Sequence, residues 1–211
     1  EIFGIIIDSS SNITVDSNSY ISGGNASNSN AGVYVSGTSQ NVSIKNNSYI
    51  DGGWSGTTYG ILLDSSTGPV TINNNTTISG GSTTGNPTYG LYVGAGSTAS
   101  IQGNTNIDAG STSSSSTFGI YVDANAVAEI ADNDYISGGM TSDSKTYGIF
   151  TKSGADIRIF RNRIIGGTCN PGVLSTSTNY GLYVDQANEC IVFNNFIRGS
   201  TDFSDMDNDI Y

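Results

Sequence analysis

An aliphatic residue, two positions, an asparagine, two more positions and an isoleucine form a signature that recurs seven times in this chain. It occupies Val15/Asn18/Ile21, Ile44/Asn47/Ile50, Ile72/Asn75/Ile78, Ile101/Asn104/Ile107, Ile130/Asn133/Ile136, Ile159/Asn162/Ile165 and Ile191/Asn194/Ile197. The asparagines lie 29, 28, 29, 29, 29 and 32 residues apart. A fixed period of this length means stacked repeats, none of which can bury its apolar face alone. The 211 residues are therefore one elongated unit, residues 1–211, with no internal boundary.

Each repeat opens on an aromatic-Gly-aliphatic triplet, as in Tyr89-Gly90-Leu91 and Phe118-Gly119-Ile120, except the second, which opens on Ala31. Apolar residues then alternate with period two, the mark of a strand with one buried face. A second run carries Ile44, Ile72, Ile101, Ile130 and Ile159, and a third ends at the signature isoleucine. Three short strands per 29 residues make one coil of a parallel β-helix, and seven coils spaced by about 4.8 Å make a rod of roughly 34 Å. Only 36% of the residues are apolar. That is too few for an ordinary globule and suits a solenoid with one thin axial core.

The asparagines Asn18, Asn47, Asn75, Asn104, Asn133, Asn162 and Asn194 stand at the corner between strands two and three, where asparagine tolerates left-handed backbone. Stacked in register, their amides form a hydrogen-bonded ladder. Their role is structural. Ser/Thr/Gly-rich segments at 82–88, 111–117, 140–146 and 168–179 carry no apolar pattern and read as loops along one edge.

The I-x-x-N-x-x-I corner, the triplet and the 29-residue coil resemble the right-handed parallel β-helix repeats of the pectin-lyase-like superfamily, over nearly the whole chain. The resemblance implies the fold. It leaves function open, because such repeats serve polysaccharide lyases and hydrolases, phage tailspikes and bacterial surface proteins alike. Lyases of that superfamily use calcium-binding acids with an Arg or Lys base, and the related hydrolases use clustered aspartates helped by a histidine. This chain has no histidine. Its basic residues gather late, at Arg158, Arg161, Arg163 and Arg198, and read as surface arginines paired with nearby acids. No catalytic residues and no metal ligands are assigned.

The binding candidates are the outward positions of the first strand: Tyr34, Tyr92, Tyr121, Phe150 and Tyr183, in a column with Ile6 and Leu62. Such a stripe exceeds the scattered hydrophobes of a normal surface. It suits contact with another chain, stacking of the rings on one another, or sugar rings. Asp8, Asp64, Asp123 and Asp185 end the first strand and read as turn caps. Asp205, Asp207 and Asp209 alternate in a way that could feed Ca²⁺, without the glycine and distal glutamate of an EF-hand loop. Cys169 and Cys190 are a disulfide candidate, with two unpaired thiols as the alternative.

A net charge of −11 argues against nucleic acid and anionic membrane. No apolar run approaches a membrane span. The first triplet starts at Phe3 and Ile210-Tyr211 reads as the opening of an eighth coil, so the chain is expected to be an excerpt or a unit that stacks on copies of itself. The expectation is a structural or adhesive module, extracellular or at the cell surface, such as a stalk, passenger or filament segment. Its partners are protein neighbours, including copies placed end to end or side by side. The alternative is a carbohydrate-active β-helix, either an enzyme acting on polysaccharide or a tailspike-like sugar binder.

Overall fold

Inward-pointing β-branched and leucine side chains at every second strand position set the architecture. In the computed structural model, which describes residues 1–64, 67–169, 178–200 and 208–210, the chain winds into stacked coils. The first strands of successive coils pair in parallel from Ile2–Asp8 to Asn208–Ile210. The second strands pair from Thr14–Asp16 to Glu189–Phe193, and the third from Ile21–Ser22 to Phe196–Arg198. One buried cluster runs through all the coils, with Ile61, Leu91 and Ile120 from the first sheet, Ile72 and Ile101 from the second, and Ile78 and Ile107 from the third.

A short fourth sheet joins these three. Ser82–Thr83, Ser111–Thr112, Met140–Thr141 and Thr168–Cys169 pair in parallel at the start of the segments that read as loops. Two-residue strands with hydroxyl side chains carry no apolar alternation, so the sequence pattern does not reveal them. Thr83 and Thr112 are nevertheless buried and bond each other through their hydroxyls at 3.0 Å.

The asparagine ladder is formed, with two corrections. Asn18, Asn47, Asn75, Asn104, Asn133 and Asn162 each donate a side-chain N–H to the Oδ1 of the next rung, at 2.8–3.0 Å. The last acceptor is Asn195, not Asn194. The left-handed corner residue is also not the ladder asparagine but the one before it. Ser17, Asn46, Asn74, Gly103, Asp132, Arg161 and Asn194 all have φ between 54° and 63°. Asn194 belongs to that column.

The same shift appears in the strand register. Ile159 pairs with Val192 and Ile164 with Ile197, while Ile136 pairs with Ile164. The last two coils are thus one residue shorter after the ladder position, and Ile164, not Ile165, fills the inward site of the third strand. At the far end Asn208 stands opposite Tyr180 and Ile210 opposite Leu182. The opening-aromatic position expected for Tyr211 is therefore held by Asn208, and Tyr211 lies outside the described residues.

Candidate functional site

The outward face of the first sheet carries two aromatic columns rather than one. Along Thr88–Val93 the side chains of Thr88, Leu91 and Val93 are buried, while Tyr89 and Tyr92 both face out. Gly90 makes this break in alternation possible. A Cβ there would lie 2.6 Å from the Gly119 carbonyl oxygen and 2.8 Å from that of Asp108, so the third strand closes against bare backbone. The opening-triplet aromatics then sit beside the predicted binding column.

From Tyr59 to Tyr183 the rings form a herringbone. Within each column they stack at 4.9–5.1 Å between centroids, as for Tyr89–Phe118, Phe118–Tyr147, Tyr92–Tyr121 and Phe150–Tyr183. Between columns they meet edge to face at 5.1–5.7 Å, as for Tyr89–Tyr92 and Phe118–Tyr121. Both geometries suit the ring quadrupole, and such pairs contribute about 0.5–1.5 kcal/mol beyond area burial. Tyr34 lies at the start of the stripe, stacked on Phe3 at 4.6 Å. All five predicted binding residues are half-buried, four of them against this lattice and Tyr34 against Phe3.

The strand-ending aspartates hold the lattice from one side. The Tyr34 hydroxyl donates to Asp64 at 2.8 Å and the Tyr92 hydroxyl to Asp123 at 2.5 Å, each reaching the next coil. Lys152 adds an ion pair to Asp123 at 3.3 Å. Burial works against ionisation of Asp123, but the Tyr92 hydroxyl, the Ala124 N–H and Lys152 together hold its carboxyl below the usual range. Burial, reinforced by Asp64, pushes the Tyr34 phenol up to about 12, and burial raises Tyr89, Tyr92 and Tyr121 as well. The face therefore presents ring surface and neutral phenol groups.

The late arginines do not converge. Arg161 makes a two-bond contact to Asp132 at 2.5 and 2.7 Å. Arg163 lies over the Tyr135 ring at 5.4 Å, and Arg158 borders a depression with Glu129, Asp156 and Glu189 on the second sheet. Cys190 is exposed with a free thiol, so the candidate disulfide is not formed. The backbone of Cys169 belongs to the fourth sheet, whereas Cys190 pairs with Ile157 in the second; the Cys169 side chain is outside the described residues. The candidate Ca²⁺ residues Asp205 and Asp207, and the side chain of Asp209, are also outside them. Among the described residues no group of three or more His, Cys, Asp or Glu side chains could hold a metal ion, and no helix is long and apolar enough to cross a membrane.

The family model described as a right handed beta helix region matches residues 2–106. Strand pairing continues in the same order beyond residue 106, through Thr117–Val122, Thr146–Thr151 and Asn179–Val184. The chain is a right-handed parallel β-helix. This agrees with the resemblance to pectin-lyase-like repeats. No curated protein and no solved structure matches it.

A second set of exposed rings lies away from the first-sheet face of this β-helix. Tyr20 and Tyr49 stack beside the third sheet, and Trp54 stands at the corner after it. Tyr20 and Tyr49 share the position before the signature isoleucine with Tyr135, whereas Trp54 departs from its column, where the neighbouring coils carry Asn25 and Ser82.

Proposed function

We propose that this β-helix is a structural or adhesive module of an extracellular or cell-surface protein, a stalk, passenger or filament segment. Its first-sheet face makes the contacts, flanked by the edge that carries the fourth sheet. One observation carries the reading: the herringbone of aromatic rings continues without a gap from Tyr59 to Tyr183. Rings locked by their neighbours lose little entropy when a partner covers them, which favours binding. The occupant that fits is another protein surface, first of all a second copy of this chain laid side by side. Two carboxylates beside it, Asp64 and Asp123, are engaged in holding tyrosine hydroxyls.

Sedimentation of the isolated chain over a wide concentration range tests this. Self-association is expected, weakened about ten-fold or more when Tyr92 and Tyr121 are both changed to serine, as for central hot-spot aromatics. A chain that stays monomeric at every concentration, or a dimer indifferent to the two changes, overturns the side-by-side contact.

A further inference from the structure

A repeat protein carries its own controls, because each position can be compared with the same position one coil away. Trp54 is the one tryptophan of the chain. It stands in a paired column with Asn25, Ser82, Ser111, Met140 and Thr168. Tyr49 follows Tyr20 in its column and is followed by Thr77 and Asn106, then by Tyr135, Arg163 and Phe196. The fold thus accepts small polar residues at both places. Packing does not require an indole or a phenol there.

These rings are also left in water. Trp54 is 64% exposed, Tyr20 61% and Tyr49 37%. Apolar ring surface held in solvent forgoes about 25 cal/mol per Å² of burial. Residues that carry such a cost without a packing role are candidates for recognition.

Their geometry is prepared. Tyr20 and Tyr49 stack at 5.6 Å with their planes 16° apart. Each is tied to the following coil: the Tyr20 hydroxyl lies 3.5 Å from Asp51 Oδ2, and the Tyr49 hydroxyl bonds the Ser79 hydroxyl. The chain then turns through Gly53, whose φ of +88° and whose Cβ position, 2.0 Å from the Gly24 carbonyl oxygen, admit only glycine. Trp54 follows on the other side of that turn. Between the two walls lies a depression of about 220 Å³, lined by Tyr49, Asp51, Trp54, Ser79 and Ser82 over a floor of Gly53 and Gly81.

Exposed rings beside a largely buried carboxyl group and two hydroxyls select a particular chemistry. A sugar ring has a C–H face that lies against an aromatic plane and an equator of hydroxyls that bond to acceptors beside it. The depression is smaller than the roughly 300–1,000 Å³ of a drug-sized pocket, which suits one ring of a longer chain. A net charge of −11, with Asp51 at the site itself, repels uronates, phosphates and nucleic acid. We propose that the depression binds one unit of a neutral oligosaccharide or polysaccharide, with Trp54 and Tyr49 against the ring and Asp51, Ser79 and Ser82 bonding its hydroxyls. Burial raises the Asp51 carboxyl, with the Gly53 N–H and Tyr20 working against it, as befits a partly desolvated group. The site lies away from the first-sheet face and does not depend on the contact proposed for it.

The sole tryptophan makes the test local. The full chain is titrated with gluco-, manno-, galacto- and xylo-hexasaccharides, and with hexagalacturonate as the acidic comparison, while Trp54 emission is followed. At least one neutral hexasaccharide is expected to give a saturable change in emission. Tyr49→Thr and Trp54→Ser install residues the same columns already accept, so both variants fold. Tyr49→Thr is expected to weaken binding about ten-fold, and Met140→Ala, three coils along the same column, to change nothing. Trp54→Ser, which lacks the reporter and is titrated by calorimetry beside the parent chain, is expected to lose the heat of binding that the parent gives. The proposal is overturned by three results: no response to any neutral hexasaccharide, binding that Tyr49→Thr leaves intact, or tighter binding of hexagalacturonate. Each leaves the sedimentation result for the first-sheet face untouched.

Discussion

The backbone N–H and the side-chain amide of Asn104 both donate to Asn133 Oδ1, each at 3.0 Å. The same side chain donates to the Ile72 carbonyl at 3.0 Å, and its own Oδ1 accepts both the N–H and the amide of Asn75. One fully buried residue thus joins three coils. Asn104→Ala leaves the Asn75 N–H and amide without their acceptor and the Ile72 carbonyl without this donor, at about 1–3 kcal/mol for each group left unpaired. Asn133 Oδ1 keeps the backbone N–H. Thermal unfolding followed by circular dichroism is expected to show a midpoint lower by several degrees, given about 2–4 °C per kcal/mol for a chain of this size. A midpoint unchanged within error would remove the ladder from the account of stability.

A period-two pattern and a 29-residue period sufficed to read the coil, its three strands and the first six ladder residues from sequence. The seventh could not be read that way. Asn194 and Asn195 are adjacent, and the signature spacing fits Asn194 through Ile191 and Ile197. Register decides otherwise, because Val192 and not Ile191 faces inward opposite Ile159. One deleted residue after the ladder position is invisible when isoleucines are doubled, as at Ile164 and Ile165.

The corner before each ladder residue offers a second prediction. Gly103 has φ of +63° in a column that otherwise holds Ser17, Asn46, Asn74, Asp132, Arg161 and Asn194, all left-handed. A left-handed conformation costs most residues about 1–2 kcal/mol, and asparagine less. Gly103→Val is expected to destabilise by about that amount or more, being β-branched, while Gly103→Asn stays within about 0.5 kcal/mol of the parent. Urea unfolding of the pair checks it. Equal losses for both variants would show that crowding against Asn74, whose Oδ1 a Cβ would meet at 2.7 Å, outweighs backbone conformation.

The functional surfaces were less legible than the fold. Outward alternation located Tyr34, Tyr92, Tyr121, Phe150 and Tyr183, but not their pairing with the triplet aromatics. The break at Gly90 depends on how closely the Asp108 carbonyl approaches, which only the closed coil reveals. Trp54 carries no periodic signal, and Tyr49 shares its place before the signature isoleucine with Tyr20 and Tyr135 without that marking a site. They stand out only once each coil is laid on the next.

The aromatic face should also set the alkaline limit of stability. Burial, with help from Asp64, pushes the Tyr34 and Tyr59 phenols up to about 12, and burial drives Tyr89, Tyr92 and Tyr147 upward too. In the unfolded chain a phenol titrates near 10. A folded pKa above the unfolded one means that the neutral phenol stabilises the fold. That contribution is complete below about pH 10 and is lost as pH rises through the folded values, from about 12 upward. Unfolding midpoints are therefore expected to hold up to pH 10 and then to fall steeply. Phenolate absorbance from these rings should appear together with the loss of β-sheet signal, and Tyr92→Phe, which removes an ionisable group packed beside Asp123, should lessen the fall. Smooth ionisation of all twelve tyrosines near pH 10, with the β-sheet signal intact, would mean that the two columns are open to solvent and not packed as a lattice.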